Sequence, residues 1–200
     1  MADFEPSTDR WPAGHRCALC LSFDVDGPYG EQNYQPATNT YAISQTEYEP
    51  FGVRRIVNIL ADADVPATFC WVGREASERP ELVRLAASHG HEIALHSWDH
   101  QYYHDMTAEE QRDDMLRTSE ALAGVTGRRP VGHKSPGWRY TKETHHMCQE
   151  LGLLWAMDIP RGDLPFLMKL DAAREPLVQL PPSSHWDDYS FFVDKMLTPG

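Results

Sequence analysis

Short apolar runs alternate along the chain with longer segments of helical period. An apolar run of four to eight residues is typical of a buried strand, whereas apolar positions three or four apart indicate a helix. No internal repeat or low-complexity linker interrupts this alternation in the sequence. The strands predicted in this way are Cys17–Val25, Ala67–Val72, Glu92–Leu95, Val131–His133, Leu153–Met157 and Leu177–Leu180.

Helices are predicted in the gaps between these strands. The segment Phe51–Ala63 carries apolar residues on one face. The segment Pro80–His89 begins with a proline, which suits the first helical turn. The segment Thr107–Gly124 opens with Thr107 and Glu110 at the spacing of a capping box. Strands and helices in alternation predict an α/β fold with a parallel sheet, either open or closed into a barrel.

Composition and charge narrow the class of protein. The chain has 200 residues, 41% of them hydrophobic, so we expect one domain over residues 1–200 with a core that needs no disulfides. Lys and Arg number 18 and Asp and Glu number 30, for a net charge of −12. A surface of this sign repels phosphate backbones and anionic lipids, so we expect no nucleic acid or membrane partner. A homo-oligomer is left open.

Targeting and cysteine signals are weak. The sequence begins without the basic start and apolar run of a secretory signal, which predicts a cytoplasmic protein. The spacing of Cys17 and Cys20 fits a zinc or redox C-x-x-C pair, but a zinc ribbon would need a second pair. Because all four cysteines stand among apolar residues, we expect them to behave as small hydrophobic side chains.

Two carboxylates stand out in the first predicted strand. In the segment LSFDVDG, Asp24 and Asp26 alternate with Phe23 and Val25, so both carboxylates point to one side of the strand. Neighbouring carboxylates repel each other and are costly to desolvate, so they need a cation or a shared proton. The alternative is a strand end with two solvated acids.

Two histidines stand at the end of a later strand. His96 follows the strand that ends at Leu95, and His100 follows four residues later, where one helical turn would place both imidazoles on one face. Together with Asp26 they form a set of one carboxylate and two histidines that leaves positions on a metal open for water and substrate. Asp24 would then be free to accept a proton from the attacking water.

These residues resemble the motifs of a known family. FDVDG and HSWDH are similar to the first and second motifs of the polysaccharide deacetylase family, the NodB-homology group also called carbohydrate esterase family four. ATFCWVG is similar to the segment between them, and GHKSPGWRY is similar to the third motif. The resemblance implies a distorted (β/α)7 barrel in which Asp24 is the catalytic base and Asp26, His96 and His100 hold the metal. The nearest branch contains cytoplasmic peptidoglycan-deacetylase-like proteins and hydrolases of cyclic imides and ureides.

The sequence departs from the family pattern in three places. Lys134 stands where the family has an arginine that orients the base, and lysine supplies only a single-point contact. Ala156 stands where the family has an acid, which leaves Asp158 and Asp163 as substitutes. The last motif, which carries the histidine that acts as general acid, has no counterpart before Gly200, so we expect a truncated sequence with a barrel incomplete at its C-terminal end.

The leading functional hypothesis is a metal-dependent hydrolase of a C–N amide bond that deacetylates an N-acetylated sugar. The first alternative is an amidohydrolase of a cyclic imide or ureide, and the second is a metal- or carbohydrate-binding protein without catalysis. Zinc is the expected metal, although ferrous iron or cobalt would fit the same ligands.

We expect Lys134 to assist the base. Side chains near the motifs and in the loop after the last strand are expected to contact the substrate: Trp98, Pro136, Trp138, His185 and Asp188. For the two tryptophans, packing in the core is the alternative role.

Overall fold

The computed structural model describes residues 4–6, 15, 17–30 and 40–189. The strands are β1 (Phe4–Pro6), β2 (Ser22–Val25), β3 (Thr68–Trp71), β4 (Glu92–Leu95), β5 (Gly132–His133), β6 (Trp155–Ala156), β7 (Phe166–Met168) and β8 (Leu177–Gln179). The helices with defined bounds are α1 (Thr40–Ala63), α2 (Gly73–Glu78), α3 (Pro80–Ser88), α4 (Ala108–Thr126) and α5 (Lys142–Glu150). Short 3₁₀ turns lie at Tyr103–Asp105 and Pro136–Trp138.

All of these strands join one sheet, in the order β1-β7-β8-β6-β5-β4-β3-β2. The pairings from β2 through β6 to β8 are parallel, as the alternation of strands and helices predicts. The sequence did not predict β7 and β1, which extend the sheet with antiparallel pairings. The link between β7 and β8 is too short for a helical crossover, which needs about a dozen residues, so these two strands pair as a hairpin.

The sheet curls towards a barrel. The hydroxyl of Ser22 on β2 donates to the sulfur of Met157, just after β6, over 3.5 Å. Strands β3, β4 and β5 separate these two positions in the hydrogen-bonded order, so only strong curvature can bring the side chains together. The fold is therefore α/β of the distorted barrel type, as predicted. Within the described residues, β1 and β2 form the two ends of the hydrogen-bonded order.

Strand register separates the two faces of the sheet. Asp24, Cys70 and Ala94 are register partners on three neighbouring parallel strands, so their side chains share one face. Phe69 and Ile93 lie on the opposite face and belong to the hydrophobic core. The helices close this core with buried apolar side chains, among them Val53, Val57, Leu60, Leu82, Met115 and Leu122.

Helix α1 begins earlier than the sequence pattern indicates. The prediction placed its start at Phe51, on the ground of the apolar face that the segment Phe51–Ala63 carries. In the structure the helix spans Thr40–Ala63 and continues through Pro50. Beyond the proline the predicted apolar face is confirmed, because Val53, Val57 and Leu60 are all buried.

The start of α4 follows from the predicted signal, whereas the helix continues past its predicted end at Gly124 as far as Thr126. Thr107 is the N-cap, and it forms a reciprocal capping box with Glu110. Gly127 ends the helix in the left-handed conformation, with φ of 76°. The first predicted strand is shorter than expected, because residues 17–21 have no regular structure and β2 begins at Ser22.

Candidate active site

The end of β2 delivers the two predicted carboxylates. Asp24 lies within the strand and Asp26 directly follows it, where Gly27 turns the chain with φ of 59°. A Cβ atom at Gly27 would stand 2.4 Å from the Oε2 atom of Glu75, which is fully buried. Glycine is therefore required here both for the backbone conformation and for the close approach of a neighbouring side chain.

The two predicted histidines converge through a loop. The backbone N–H of His96 donates to the carbonyl oxygen of Trp71, which continues the hydrogen bonds between β3 and β4 by one residue. The ring centroid of His96 lies 5.1 Å from that of His100. The expectation of a helical turn is wrong, because Ser97 and His100 both have positive φ, 62° and 56°. The backbone N–H of Trp98 donates to the Asp114 carboxylate over 2.8 Å, which holds this costly loop conformation in place.

Asp26, His96 and His100 bring their ligand atoms within 4.8 Å of one another. Two ion-pair distances describe the set: Asp26 Oδ1 to His96 Nε2 and Asp26 Oδ2 to His100 Nε2 are both 3.5 Å. Asp26 Oδ1 and His96 Nε2 are buried and find no hydrogen-bond partner among the described residues. Buried polar atoms are normally satisfied, and this arrangement of one carboxylate and two imidazoles fits a divalent cation.

A backbone contact fixes which nitrogen of His96 faces the cluster. Its Nδ1 atom lies 2.7 Å from the carbonyl oxygen of Lys134. A carbonyl oxygen only accepts, so Nδ1 must carry the proton and donate it. In the neutral imidazole, Nε2 then presents its lone pair to the site, as a metal ligand requires.

Asp24 forms an ion pair with Lys134. The Nζ atom of Lys134 lies 2.5 Å from Asp24 Oδ2, and the lysine side chain is only 9% exposed. Burial by itself raises the pKa of Asp24, but the ammonium of Lys134 and the imidazoles of His96 and His100 lower it to about 2. Burial likewise lowers the pKa of Lys134, but the charge of Asp24 raises it above its usual value. Both groups are therefore charged at neutral pH.

Cys70 is a neighbour of Asp24 that the sequence analysis missed as part of the site. It is fully buried and stands opposite Asp24 in the register of β2 and β3. Burial and the adjacent carboxylate raise the pKa of the Cys70 thiol well above its usual value, so the thiol is neutral. The position of Cys70 in the predicted strand could have indicated this contact, since a strand paired in parallel with β2 must place a side chain beside Asp24.

Pro136 and Trp138 follow Lys134 in the third motif. Pro136 is buried, and Trp138 is half-buried with its ring centroid 5.9 Å from Lys134 Nζ. Gly137 between them has φ of 55°, and a Cβ atom there would stand 2.8 Å from the ring of Tyr102. The structure therefore places the Trp138 ring near Lys134, and it places Tyr102, an aromatic residue that the sequence analysis did not name, against Gly137.

The other predicted substrate contacts lie elsewhere. The guanidinium of Arg117 stacks 3.6 Å above the Trp98 ring, and a Cβ atom at Gly73 would stand 2.6 Å from the ring edge. These contacts fit the alternative role of Trp98, which is packing against the protein itself. His185 and Asp188 are exposed in the segment after β8. Substrate contact by these three residues stays a prediction.

Of the two acids proposed as substitutes at Ala156, only Asp158 is buried, whereas Asp163 is exposed. Asp158 accepts a hydrogen bond from the backbone N–H of Ser135 over 2.6 Å and one from His145 Nε2 over 3.0 Å. Burial raises the pKa of Asp158, but His133, His145 and the Ser135 N–H outweigh it and lower the pKa below its usual value. The Asp158 carboxylate, which contacts the third motif at Ser135, is therefore ionised.

Comparison with known proteins places this arrangement in a family. The family model described as polysaccharide deacetylase matches residues 19–155. A peptidoglycan deacetylase from Helicobacter pylori is 23% identical over 120 residues, which are 60% of this chain and 41% of that protein. The chain thus spans less than half the length of this relative.

Solved structures agree with the sequence match. A solved structure of a Mycobacterium smegmatis protein, named as a polysaccharide deacetylase, matches this chain with a TM-score of 0.84 and 31% sequence identity. The match covers 94% of this chain and 66% of that protein's chain. Puue allantoinase has a TM-score of 0.75 at 24% identity, covering 90% and 66%, and shares the fold. In the described part of the chain, no helix has the length and apolar character to cross a membrane. The chain belongs to the polysaccharide deacetylase family.

Proposed function

We propose that this protein is a metal-dependent hydrolase that removes the acetyl group from an N-acetylated sugar by cleaving its amide C–N bond. The observation that carries the proposal is the position of an ionised Asp24 beside the cluster of Asp26, His96 and His100, since Asp24 Oδ2 lies 3.7 Å from His96 Nε2. A base and a candidate cation site thus adjoin each other in a chain of this family.

Asp24 acts as the general base in this proposal. Its carboxylate accepts the proton of the water that attacks the amide carbonyl, and its ionised state at neutral pH makes this transfer available. Lys134 holds one carboxylate oxygen and thereby orients the base. The ammonium also places positive charge where negative charge develops during the attack.

Asp26, His96 and His100 would hold the divalent cation, and we propose zinc, which commonly binds three protein ligands of this kind in catalytic sites. Such a cation supplies Lewis acidity, which polarises a carbonyl group and lowers the pKa of water. The orientation of His96 is provided by the protein itself, through the Lys134 carbonyl. Elemental analysis of the purified protein tests the identity of the metal.

The substrate proposal is supported by the named activity of the Helicobacter pylori relative and by the aromatic side chain beside the base. Trp138 offers a half-buried ring next to Lys134, and such rings stack on the apolar faces of sugars. The cytoplasmic location stays a prediction, so soluble N-acetylated oligosaccharides and peptidoglycan fragments both belong in the assay.

Acetate release tests the proposal directly. We expect acetate from N-acetylglucosamine oligomers and no ring opening of cyclic imides or ureides; ring opening without acetate release would favour the amidohydrolase alternative. The variant Asp24→Asn should keep its metal and lose activity by about 10²- to 10⁴-fold. A wild-type protein that binds zinc but hydrolyses neither class of substrate would support the non-catalytic alternative.

Histidine variants test the ligand set. His96→Ala and His100→Ala should each lose both zinc and acetate release, because each removes one of three ligands. His89→Ala is the matched control, since His89 is exposed at the end of α3. Full zinc content in His96→Ala or His100→Ala would contradict the proposed site.

A further inference from the structure

One peptide group joins three parts of the site. The peptide between Lys134 and Ser135 accepts at its carbonyl from His96 Nδ1 over 2.7 Å and donates at its N–H to Asp158 Oδ1 over 2.6 Å. His96 is 1% exposed and Asp158 is fully buried. Lys134 also sends its side chain to Asp24. A buried carboxylate that follows β6 thus reaches a candidate metal ligand that follows β4 through a single amide of the chain that follows β5, the strand between them.

The neighbours of Asp158 leave one of its carboxylate oxygens, Oδ1, to the N–H of this peptide. Its second oxygen, Oδ2, accepts from His145 Nε2 over 3.0 Å and lies 3.8 Å from His133 Nε2. The Nε2 atom of His133 lies 3.1 Å from the Ser135 hydroxyl. All of these groups are buried, where hydrogen bonds strengthen one another because little solvent screens them.

A carboxylate at the N–H of an amide polarises the amide and increases the negative charge on its carbonyl oxygen. That oxygen then accepts more strongly from His96 Nδ1–H, which favours the tautomer with the Nε2 lone pair facing Asp26. The contact also fixes the ring orientation. Hydrogen-bond partners behind a metal-ligating histidine typically affect metal affinity by about 10- to 100-fold.

We propose that Asp158 is a positioning residue that sets the tautomer and orientation of His96 through the Lys134–Ser135 peptide, and thereby sets the affinity of the site for a divalent cation. The inference rests on the proposed function, because it concerns the ligands of the proposed cation. It gives a role to an acid that the sequence analysis could only name as a substitute for the family's acid at Ala156.

The test compares two variants of the same buried cluster. Asp158→Asn keeps the size of the side chain and an acceptor for the Ser135 N–H but removes the charge. His145→Gln disturbs the same carboxylate from its other side and leaves the Ser135 contact in place. Competition with a chromophoric chelator measures the zinc affinity of the full chain. We expect about tenfold weaker zinc binding for Asp158→Asn and less than a threefold change for His145→Gln.

A spectroscopic readout separates positioning from a loss of stability. Nitrogen-15 NMR of the metal-free protein reports which ring nitrogen of His96 carries the proton, with the signal assigned by its absence in His96→Gln. The wild type should show His96 protonated at Nδ1, and Asp158→Asn should show a mixture of tautomers, whereas His145→Gln should match the wild type.

Three results would overturn the inference. The first is a wild-type His96 protonated at Nε2, a measurement that stays decisive even if neither variant folds. The second is unchanged zinc affinity in Asp158→Asn. The third is equal loss of affinity in both variants in proportion to their loss of thermal stability. A wild type that binds no divalent cation would instead contradict the proposed function, while the tautomer measurement would still decide the role of Asp158.

Discussion

At the residue scale, the proposed role of Asp24 as a base depends on its ion pair with Lys134. The two charged groups are 2.5 Å apart, and the lysine side chain is 9% exposed, so solvent screens their attraction poorly. A lysine ammonium is a point charge on a flexible stem, whereas arginine presents a planar fork of donors. Lys134 therefore contributes a single contact to the orientation of Asp24.

Replacement of Lys134 tests that contact. Lys134→Met removes the charge but keeps much of the side-chain volume, so the base loses its orienting partner, and we expect kcat/KM to fall by about 100-fold at unchanged zinc content. Lys142→Met is the control, because Lys142 is exposed on α5. Steady-state acetate release measures both variants, and a wild-type rate in Lys134→Met would show that the base needs no cation beside it.

Gly27 provides a second test at this scale. Gly90→Ala adds a Cβ atom into open space at a φ of 80° and should cost about 1 kcal/mol of unfolding free energy from backbone strain alone. Gly27→Ala meets the same strain and also the buried Glu75 carboxylate, so we expect a further loss of roughly 1–3 kcal/mol. Chemical denaturation of both variants measures the difference. Equal losses would mean that Glu75 moves aside freely.

At the element scale, helix α4 supports the loop that carries the histidines. Asp114 accepts from the backbone N–H of Trp98 over 2.8 Å and from the Tyr103 hydroxyl over 2.9 Å. One turn further, Arg117 stacks on the Trp98 ring at 3.6 Å. These contacts lie one helical turn apart on α4, so the position of the helix sets the position of the loop.

The buried Asp114 predicts a pH dependence of stability. Burial raises the pKa of Asp114 to about 6 from a usual value near 3.8, against the hydrogen bonds from Trp98 and Tyr103. A raised pKa in the folded state favours folding at low pH, and this contribution is lost as pH rises through 6. The unfolding free energy of the wild type minus that of Asp114→Asn should therefore fall by roughly 2 kcal/mol between pH 4.5 and 7.

Denaturation of the two proteins across this pH range, with metal removed, measures the difference. The isosteric Asn keeps an acceptor for Trp98, so the pair differs mainly in the titrating group. A difference that is constant with pH, or that rises with it, would contradict the assignment of a raised pKa to Asp114.

Elements of this fold differ in how clearly the sequence predicts them. The strands that end at Val25 and Leu95 stand out because apolar residues lead up to each strand end and a polar residue, Asp26 or His96, follows directly. Strand β7 has only three residues, one of them exposed, and is too short for its hydrophobic pattern to indicate a strand. Its place in the sheet depends on a hairpin with β8, which is a property of the folded chain.

At the scale of the whole molecule, the four cysteines divide into two classes. Cys17 and Cys20 are exposed, so the expectation that they behave as small hydrophobic side chains does not fit this pair. Cys70 and Cys148 are fully buried, on β3 and α5, and burial raises the pKa of both thiols. A neutral buried thiol is unreactive, so these two report on opening of the core.

Thiol labelling tests this division. In the native, reduced protein we expect Cys17 and Cys20 to react rapidly with iodoacetamide, and Cys70 and Cys148 to react only after unfolding by denaturant. Mass spectrometry of labelled peptides gives the site-by-site rates. The double variant Cys17→Ser/Cys20→Ser is the control and should show no rapid phase. Rapid native labelling of Cys70 would contradict its full burial on β3.

The sequence by itself determined the fold class and singled out candidate site residues, because strand and helix periods, strand-ending glycines and the spacing of Asp24, Asp26, His96 and His100 are local properties of the chain. Only the tertiary structure decided which of these side chains meet. The contact of Lys134 with Asp24 spans 110 positions, and that of Ser135 with Asp158 spans 23. Such contacts depend on sheet order and curvature, which arise from packing among distant elements.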